Sequence, residues 1–269
     1  MATKTILLDI GGTFIKRSDG LCIPVPSAGS AEDIASALQR AVDVPGGAAA
    51  AGVAIPGPFD YGQGVFLMRH KFASVYGRSF RDLAGLPDTV ELRFMHDVNA
   101  LLAGALRSPE LKGGDAALVT IGTGLGFACA KEGKVFTAPG GSPAISLWNR
   151  PSPDGGILED HISARALTRA YKDAAGKDGL TPLEIAELAR SGDAQAAGVY
   201  LRMGRQLAAA LLPLMQELGT KVLLLGGQIS RSSDLFIAPL RAAMPWAAIL
   251  NAPADGVFKG LESLFNTTE

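Results

Sequence analysis

The stretch Leu7-Leu8-Asp9-Ile10-Gly11-Gly12-Thr13-Phe14-Ile15-Lys16-Arg17 places an acidic residue at the end of an apolar strand and two glycines in the turn before a second strand. Glycine permits positive φ and close approach of a ligand, so N–H groups of Gly11 and Gly12 and the Thr13 hydroxyl could bind phosphate oxygens while Asp9 faces their metal ion. The spacing differs from that of a Walker loop. For this stretch alone, an ordinary Gly-Gly hairpin is the alternative.

A strand followed by a glycine turn occurs at two further places along the chain. Residues 117–128 form a second strand–glycine–strand unit, and residues 222–230 form a buried-strand pattern that ends in paired glycines. Three such backbone sites could surround one nucleotide. The residues expected there are Gly122, Thr123 and Gly124 in the stretch 117–128, and Gly226 and Gly227 in the stretch 222–230.

The order of these elements resembles the actin/hexokinase/Hsp70-type ATPase domain and, more narrowly, the ROK family of bacterial sugar kinases and repressors. Two further stretches carry the resemblance, Ala54-Ile55-Pro56-Gly57-Pro58 and His96-Asp97-Val98-Asn99-Ala100. It covers nearly the whole chain. It implies an α/β, two-lobed actin-like (ribonuclease H-like) fold with a mixed sheet in each lobe and ATP between the lobes. The expected lobes are 1–108 plus about 255–269, and 109–254.

The resemblance identifies Asp97 as the catalytic base, because ROK kinases carry their base in an Asn-Asp-Ala-Asn-Ala pattern. A carboxylate within hydrogen-bond reach of the acceptor hydroxyl can take its proton. The alternative for Asp97 is an N-cap of the following helix. The first Asn of the pattern helps to hold the sugar in relatives, and His96 stands there in this chain. His96 and Gly57 are therefore expected to contact the substrate.

The chain departs from the family pattern further on. ROK proteins typically carry Gly-Glu-x-Gly-His and then a cysteine-rich zinc motif that ends Gly-Cys-x-Glu. The corresponding residues are Pro143-Ala144-Ile145-Ser146-Leu147 and Gly156-Ile157-Leu158-Glu159. Only Glu159 remains as a candidate sugar contact, with a solvated carboxylate as the alternative. We expect no zinc site, and weak binding of an ordinary hexose unless other residues recognise a modified sugar.

Several other side chains could contact the substrates but also have plainer interpretations. A strand lysine usually faces solvent, a cationic trio in a loop is usually solvated, and a tryptophan is as often packed in a core. These residues are Lys16, the trio Arg69, His70 and Lys71, Trp148, and His161, for which an exposed helical position is the plainer interpretation.

The predicted function is an ATP-dependent kinase that transfers the γ-phosphoryl group to a hydroxyl of a hexose or hexose derivative, like a glucokinase or N-acylhexosamine kinase. Mg²⁺ would be held by Asp9 through water. The alternative is a non-catalytic ROK-like protein that senses a sugar or nucleotide. We expect no DNA-binding domain, because the chain begins at the phosphate hairpin and leaves no room for the N-terminal helices of the ROK repressors.

Composition favours a cytoplasmic enzyme. The 269 residues are 48% hydrophobic with a net charge of −1, and no Lys/Arg stripe is present, so nucleic acid and membranes are not expected partners. No uncharged apolar stretch approaches the ~20 residues of a membrane span, and no signal peptide is evident. Cys22 and Cys129 are expected to be single, buried or half-buried thiols. A homodimer is compatible with this interpretation.

The coarse prediction of elements contains strands at 4–10, 13–18, 21–25, 48–54, 90–95 and 223–225, besides the second hairpin. A helix is predicted over 31–42, with Ser30 as its cap. Pro213 is expected to kink or divide the helix over 193–219. The other predicted helices lie at 99–107, 158–175, 181–190, 234–243 and 256–265.

Overall fold

The structure, a computed structural model, describes residues 4–265. This part of the chain forms two compact units. The first unit contains residues 4–112, 133–144 and 253–265, and the second contains 113–132 and 145–252. None of the helices within the described residues is both long enough and apolar enough to cross a membrane.

The first 112 residues supply most of the first unit. Its main sheet has the order β3-β2-β1-β4-β7. Strands β1, β4 and β7 are parallel, β2 is antiparallel to β1, and β3 is antiparallel to β2. A separate two-stranded sheet pairs β5 with β6. The elements are β1 Thr5–Ile10, β2 Phe14–Arg17, β3 Cys22–Pro24, α1 Ala31–Val42, β4 Ala50–Ile55, β5 Phe59–Asp60, β6 Val65–Phe66, α2 Phe80–Ala84, β7 Glu91–His96 and α3 Asp97–Ala105, with a 3₁₀ turn at Ala73–Val75.

Helix α1 shows how local sequence sets these elements. The Ser30 hydroxyl accepts the Asp33 N–H at 3.1 Å and caps the first turn. Ile34, Leu38 and Ala41 follow at helical spacing and are buried in the unit's core. The prediction of this helix and its cap is confirmed.

The second sheet has the order β10-β9-β8-β11-β12, with β8, β11 and β12 parallel and β9 antiparallel to β8. Both sheets are mixed, as predicted. The elements are β8 Ala116–Ile121, β9 Leu125–Lys131, β10 Lys134–Val135, α4 Ala164–Ala175, α5 Pro182–Arg190, α6 Ala194–Leu218, β11 Val222–Gly226, α7 Ile237–Ala243 and β12 Ala248–Asn251, with 3₁₀ turns at Leu158–Asp160 and Ile229–Leu235.

Several element predictions need correction. Pro213 lies inside α6 and does not divide it, and the predicted helix over 158–175 is a 3₁₀ turn followed by α4, which Ser163 caps. The sequence pattern does not predict strands β5, β6, β10 and β12 or the short helix α2. Cys22 is exposed on β3, whereas Cys129 is buried on β9.

Helix α8, Gly256–Glu262, belongs to the first unit and packs on α3. A β-carbon at Gly104 of α3 would overlap the Gly256 backbone, and one at Gly260 would overlap the Ala100 backbone. Glycine is therefore what permits the two helices to approach this closely.

Residues 133–144 also lie in the first unit, although the sequence analysis placed them in the second lobe. The Asn99 side-chain amide donates to the Gly141 carbonyl at 3.2 Å. Gly141 has φ of +90° and lies against the ring of Tyr61. These contacts join sequence-distant segments, which is why the sequence pattern did not show them.

Candidate functional site

The three parallel strands of the first sheet end beside one another at the candidate residues. The register aligns Asp9, Ala54 and Met95 across β1, β4 and β7, and Ile55 aligns with His96 one residue later. The chain leaves these strands at Gly11, Pro56 and Asp97. Carboxyl ends of neighbouring parallel strands are the usual ligand-binding edge of such a sheet.

The first glycine turn offers two backbone donors. The Gly11 N–H donates to the Phe14 carbonyl at 2.9 Å and closes the turn. The N–H groups of Gly12 and Thr13 have no acceptor within residues 4–265. Neither Gly11 nor Gly12 has a positive φ, so the expectation that this turn needs glycine for a positive φ is wrong. What glycine provides at position 12 is space, because Lys71 lies directly beside it.

Asp9 is a mostly buried carboxylate opposite Lys16. The two residues are cross-strand partners on β1 and β2, and Lys16 Nζ lies 3.9 Å from Asp9 Oδ2. Burial and the charge of Asp97 raise the pKa of Asp9 to about 6, although the charge of Lys16 acts in the opposite direction. Lys16 therefore partly neutralises Asp9, with its own side chain still 56% exposed.

Asp97 is the first residue of α3, and His96, not Asp97, occupies the N-cap position. The Asp97 Oδ1 atom lies 2.8 Å from His96 Nδ1 and accepts the Val98 N–H at 2.8 Å. Because Nδ1–H donates to Asp97 over this short distance, the 3.4 Å approach of the Val98 N–H to Nδ1 is not a second hydrogen bond. The Oδ2 atom has no hydrogen-bond partner in the part of the chain described.

The charge state of Asp97 follows from these contacts. Burial acts to raise its pKa, but the hydrogen bond and charge of His96, the Val98 N–H and the charge of Lys71 outweigh it, so the pKa lies below its ordinary value. The carboxylate is ionised at neutral pH, and its side chain is 35% exposed. Asp97 can therefore accept a proton at Oδ2.

Gly57 lies beside His96 and Tyr61. A β-carbon at Gly57 would stand 3.6 Å from His96 Nε2 and 3.4 Å from the Tyr61 hydroxyl, which donates to the Ile55 carbonyl. The pKa of Tyr61 is raised by burial and by the charge of Asp97. Asn99 is buried on the same helix as Asp97, and its Oδ1 has no hydrogen-bond partner among residues 4–265.

The second glycine turn repeats the donor pattern inside the second unit. The Gly122 N–H donates to the Gly124 carbonyl, while the N–H groups of Thr123 and Gly124 have no acceptor in the described residues. Glu159 braces this turn, since its Oε2 accepts the Leu125 N–H at 2.9 Å. A β-carbon at Gly124 would lie 2.6 Å from that oxygen. Glu159 is thus a structural partner of the turn, and its Oε1 remains for a ligand.

Gly226 and Gly227 lie next to this turn. Gly226 aligns with Thr120 across β11 and β8, and Gly227 packs on the backbone of Ile121 with φ of +83°. A side chain at Gly227 would overlap the Ile121 backbone, so glycine is required there.

The remaining candidates are spread over both units. Arg69 stacks on Tyr76 with 4.2 Å between Cζ and the ring centroid, and His70 is exposed. Trp148 is 47% exposed and not packed in the core. His161 donates Nε2–H to the Gly155 carbonyl at 2.7 Å and fastens the turn before it. Within residues 4–265, no three His, Cys, Asp or Glu side chains are grouped as metal ligands would be.

The model of the ROK family matches residues 25–256. The chain belongs to the ROK family. A glucokinase of Streptomyces coelicolor is 29% identical over 182 residues, which are 58% of this chain and 56% of that protein. The chain therefore spans little more than half the length of the curated Streptomyces relatives that it matches.

Solved ROK structures share the fold over almost the whole chain. A glucokinase from Streptomyces griseus in complex with glucose and AMPPNP has a TM-score of 0.81 and 24% identity, and covers 97% of this chain and 98% of its own. A ROK family protein from Streptococcus pneumoniae in complex with sucrose has a TM-score of 0.75 and 24% identity, with 96% of each chain covered. The predicted actin-like α/β fold is confirmed.

Tyr61 and Ser27 are not candidates from the sequence, whereas Lys71, together with Arg69 and His70, is a candidate contact for an anionic group of the substrate, with a solvated loop charge as the plainer interpretation. Tyr61, Ser27 and Lys71 are each placed by contacts with residues far away in the chain, and no spacing rule reports such contacts. A cationic residue two positions after Arg69 in a glycine-rich loop was the only signal for Lys71.

Proposed function

We propose that this ROK family protein transfers the γ-phosphoryl group of ATP to a hydroxyl of a hexose or hexose derivative. The observation that carries the proposal is the Asp97 carboxylate, whose Oδ1 is held by two donors while Oδ2 is left to accept a proton. It stands at the end of β7, two strands away from the glycine turn that follows β1. The shared fold with a glucokinase that binds glucose and AMPPNP supports the same function.

In the proposed reaction, a sugar hydroxyl oxygen attacks the γ-phosphorus and its proton passes to Asp97 Oδ2. The bond from the γ-phosphorus to the β–γ bridging oxygen breaks, and ADP leaves with the electron pair. Gly11 closes the first turn, and the N–H groups of Gly12 and Thr13 bind phosphate oxygens. In the second unit, the turn at Gly122, Thr123 and Gly124 also binds phosphate oxygens, while Gly226 and Gly227 contact the adenosine.

The sugar is proposed to contact His96, Gly57 and Glu159. His96 uses Nδ1 for Asp97, so only Nε2, which lies 3.6 Å from the position of a β-carbon at Gly57, is left for a hydroxyl. Glu159 can offer Oε1, because Oε2 is engaged by Leu125. A sugar that needs both oxygens of this carboxylate would bind weakly.

Mg²⁺ is proposed to bind Asp9 through water. Carboxylate oxygens are the donors that Mg²⁺ prefers. Burial raises the pKa of Asp9, and the charge of Asp97 raises it further. A divalent cation would offset both effects, so the donors fit the ion. When bound, Mg²⁺ neutralises phosphate charge.

A coupled ADP-release assay over hexoses, amino sugars and N-acetylated sugars tests the proposal. We expect ADP formation that depends on one class of sugar. Asp97→Asn keeps the shape and the Val98 contact but cannot take the proton, so kcat should fall roughly 10²–10⁴-fold with nucleotide affinity little changed. Sugar-dependent activity of the variant within a few-fold of wild type would contradict the role of Asp97. Sugar binding without turnover in the wild type would favour the sensing alternative.

A further inference from the structure

Lys71 is a half-buried lysine that lies over the first glycine turn. A β-carbon at Gly12 would stand 3.4 Å from Lys71 Cδ and 3.6 Å from its Nζ. The ammonium group is therefore beside the turn whose Gly12 and Thr13 N–H groups have no acceptor in residues 4–265. Lys71 also has no carboxylate oxygen within 4 Å of Nζ among the residues described.

The backbone around Lys71 is fixed to this turn. Phe72, the next residue, is fully buried and has φ of +52°, which is uncommon for an aromatic residue. Its N–H donates to the Ser27 carbonyl at 2.6 Å, and the Ser27 hydroxyl donates to the Gly12 carbonyl at 2.5 Å. Two hydrogen bonds thus tie the lysine's loop to the turn, and an unfavourable backbone conformation at such a place is typical of functional sites.

The charge of Lys71 also acts on the candidate base. Burial is the largest influence on the pKa of Asp97 and raises it. His96 and the Val98 N–H lower this pKa, and the charge of Lys71 lowers it further by a smaller amount. The neighbouring cation Arg69 is instead stacked on Tyr76. Of the three basic residues 69–71, Lys71 is the one whose ammonium group lies beside Gly12 and whose charge acts on Asp97.

We propose that Lys71 binds the phosphoryl group while it is transferred, an inference that depends on the proposed kinase function. The phosphate turn and the proton acceptor mark the two ends of the reaction, and the transferred group must pass between them. An ammonium group that lies beside the turn, with a charge that also acts on the proton acceptor, is placed to neutralise the charge on the equatorial phosphoryl oxygens. Lys71 contributes charge and takes no part in the proton transfer, since Asp97 receives the proton of the hydroxyl.

The test compares wild type with Lys71→Met, which keeps the apolar stem, and Lys71→Arg, which keeps the charge. We expect Lys71→Met to lower kcat by about 10²–10³-fold, and to weaken binding of Mg-AMPPNP by about tenfold or more in calorimetry. Binding of Mg-ADP, which lacks the transferred group, should stay within about twofold. Lys71→Arg should restore part of kcat. Arg78→Met removes a charge from an exposed position of the same loop and should behave as wild type.

The outcomes separate the two proposals. If Lys71→Met folds with an unchanged melting temperature yet keeps wild-type kcat and Mg-AMPPNP affinity, the role of Lys71 is wrong and the kinase function stands. Equal losses for Mg-ADP and Mg-AMPPNP would also contradict it, since the lysine would then hold the loop or the whole nucleotide. If the wild type itself binds neither nucleotide, the proposed function fails and this inference fails with it.

Discussion

Asp9 and Asp97 are two acidic residues of one unit whose pKa values move in opposite directions. Asp97 has two donors on one oxygen and a lowered pKa, whereas Asp9 is mostly buried near a like charge and has a pKa raised to about 6. Opposite shifts in neighbouring carboxyl groups are typical of sites that divide roles between them. The lowered pKa suits a proton acceptor that is ionised at neutral pH, and the raised pKa suits a carboxylate that awaits a cation.

Asp9→Asn should stabilise the ligand-free protein at pH 8. The folded-state pKa of Asp9 is raised above the unfolded value of 3.8, so the stability contributed by neutral Asp9 is present below pH 3.8 and is lost as pH rises through about 6. The shift corresponds to a penalty on the order of 3 kcal/mol above pH 6. The variant should therefore melt at a higher temperature than wild type at pH 8, with the difference shrinking toward pH 4.

The same variant should lose affinity for Mg-ATP, which calorimetry at pH 8 would measure. Stabilisation together with weaker binding is the pattern of a residue kept for its ligand. A variant that melts below wild type at pH 8 without ligand would show that Asp9 supports the fold instead.

At the scale of elements, the two glycine turns lie where the sequence predicts them. The reason for glycine in them is not the positive φ that the sequence suggested. Gly11, Gly12, Gly122 and Gly124 all have ordinary backbone conformations, so what they provide is room near the backbone. Gly124 makes room for Glu159, whereas nothing lies within 4 Å of a β-carbon at Gly122. The open side of Gly122 is where we expect phosphate.

Gly122→Ala should fold normally and bind Mg-ATP at least about tenfold more weakly, because a methyl group would enter the space expected for phosphate. Gly198→Ala on α6 is the matched control, since its β-carbon also meets nothing within 4 Å. If calorimetry gives both variants the Mg-ATP affinity of wild type, the second glycine turn is not part of the nucleotide site.

Helices α3 and α8 provide a prediction about stability. Gly104→Ala gains up to about 1 kcal/mol of helix propensity, but its methyl group overlaps the Gly256 backbone, and overpacking of this kind costs about 1–3 kcal/mol or more. The cost of the overlap should exceed the gain in helix propensity, because backbone atoms cannot move aside as a side chain can. Denaturant unfolding should show a loss of stability for Gly104→Ala and none for Gly198→Ala. Unchanged stability would mean that α8 can shift away from α3.

What the sequence could reveal depended on whether the signal was local. Strand ends, the Ser30 cap and the order of the glycine turns are local, and the structure contains them where the pattern placed them. The Glu159 brace, the Ser27 link and the α3–α8 contact join residues far apart in the chain. Such pairings follow from the packed fold and cannot be read from spacing.

At the scale of the whole molecule, the family resemblance supplied the fold and the functional hypothesis together. Family membership and the shared fold now rest on comparisons that cover most of the chain. The identity of the sugar does not follow from them, because the Glu-x-Gly-His pattern is absent and Glu159 has one oxygen engaged. For the proposed kinase, we therefore expect substrate preference to depend on residues outside that pattern.

The most direct test of the central claim is transfer of phosphate from ATP labelled on its γ-phosphate to a panel of hexoses, with product separated from ATP and inorganic phosphate. The account predicts labelled sugar phosphate in a one-to-one ratio with ADP for at least one class of sugar, and near-complete loss of this product in Asp97→Asn. Release of labelled inorganic phosphate without any sugar phosphate, or no turnover with any sugar, would contradict it.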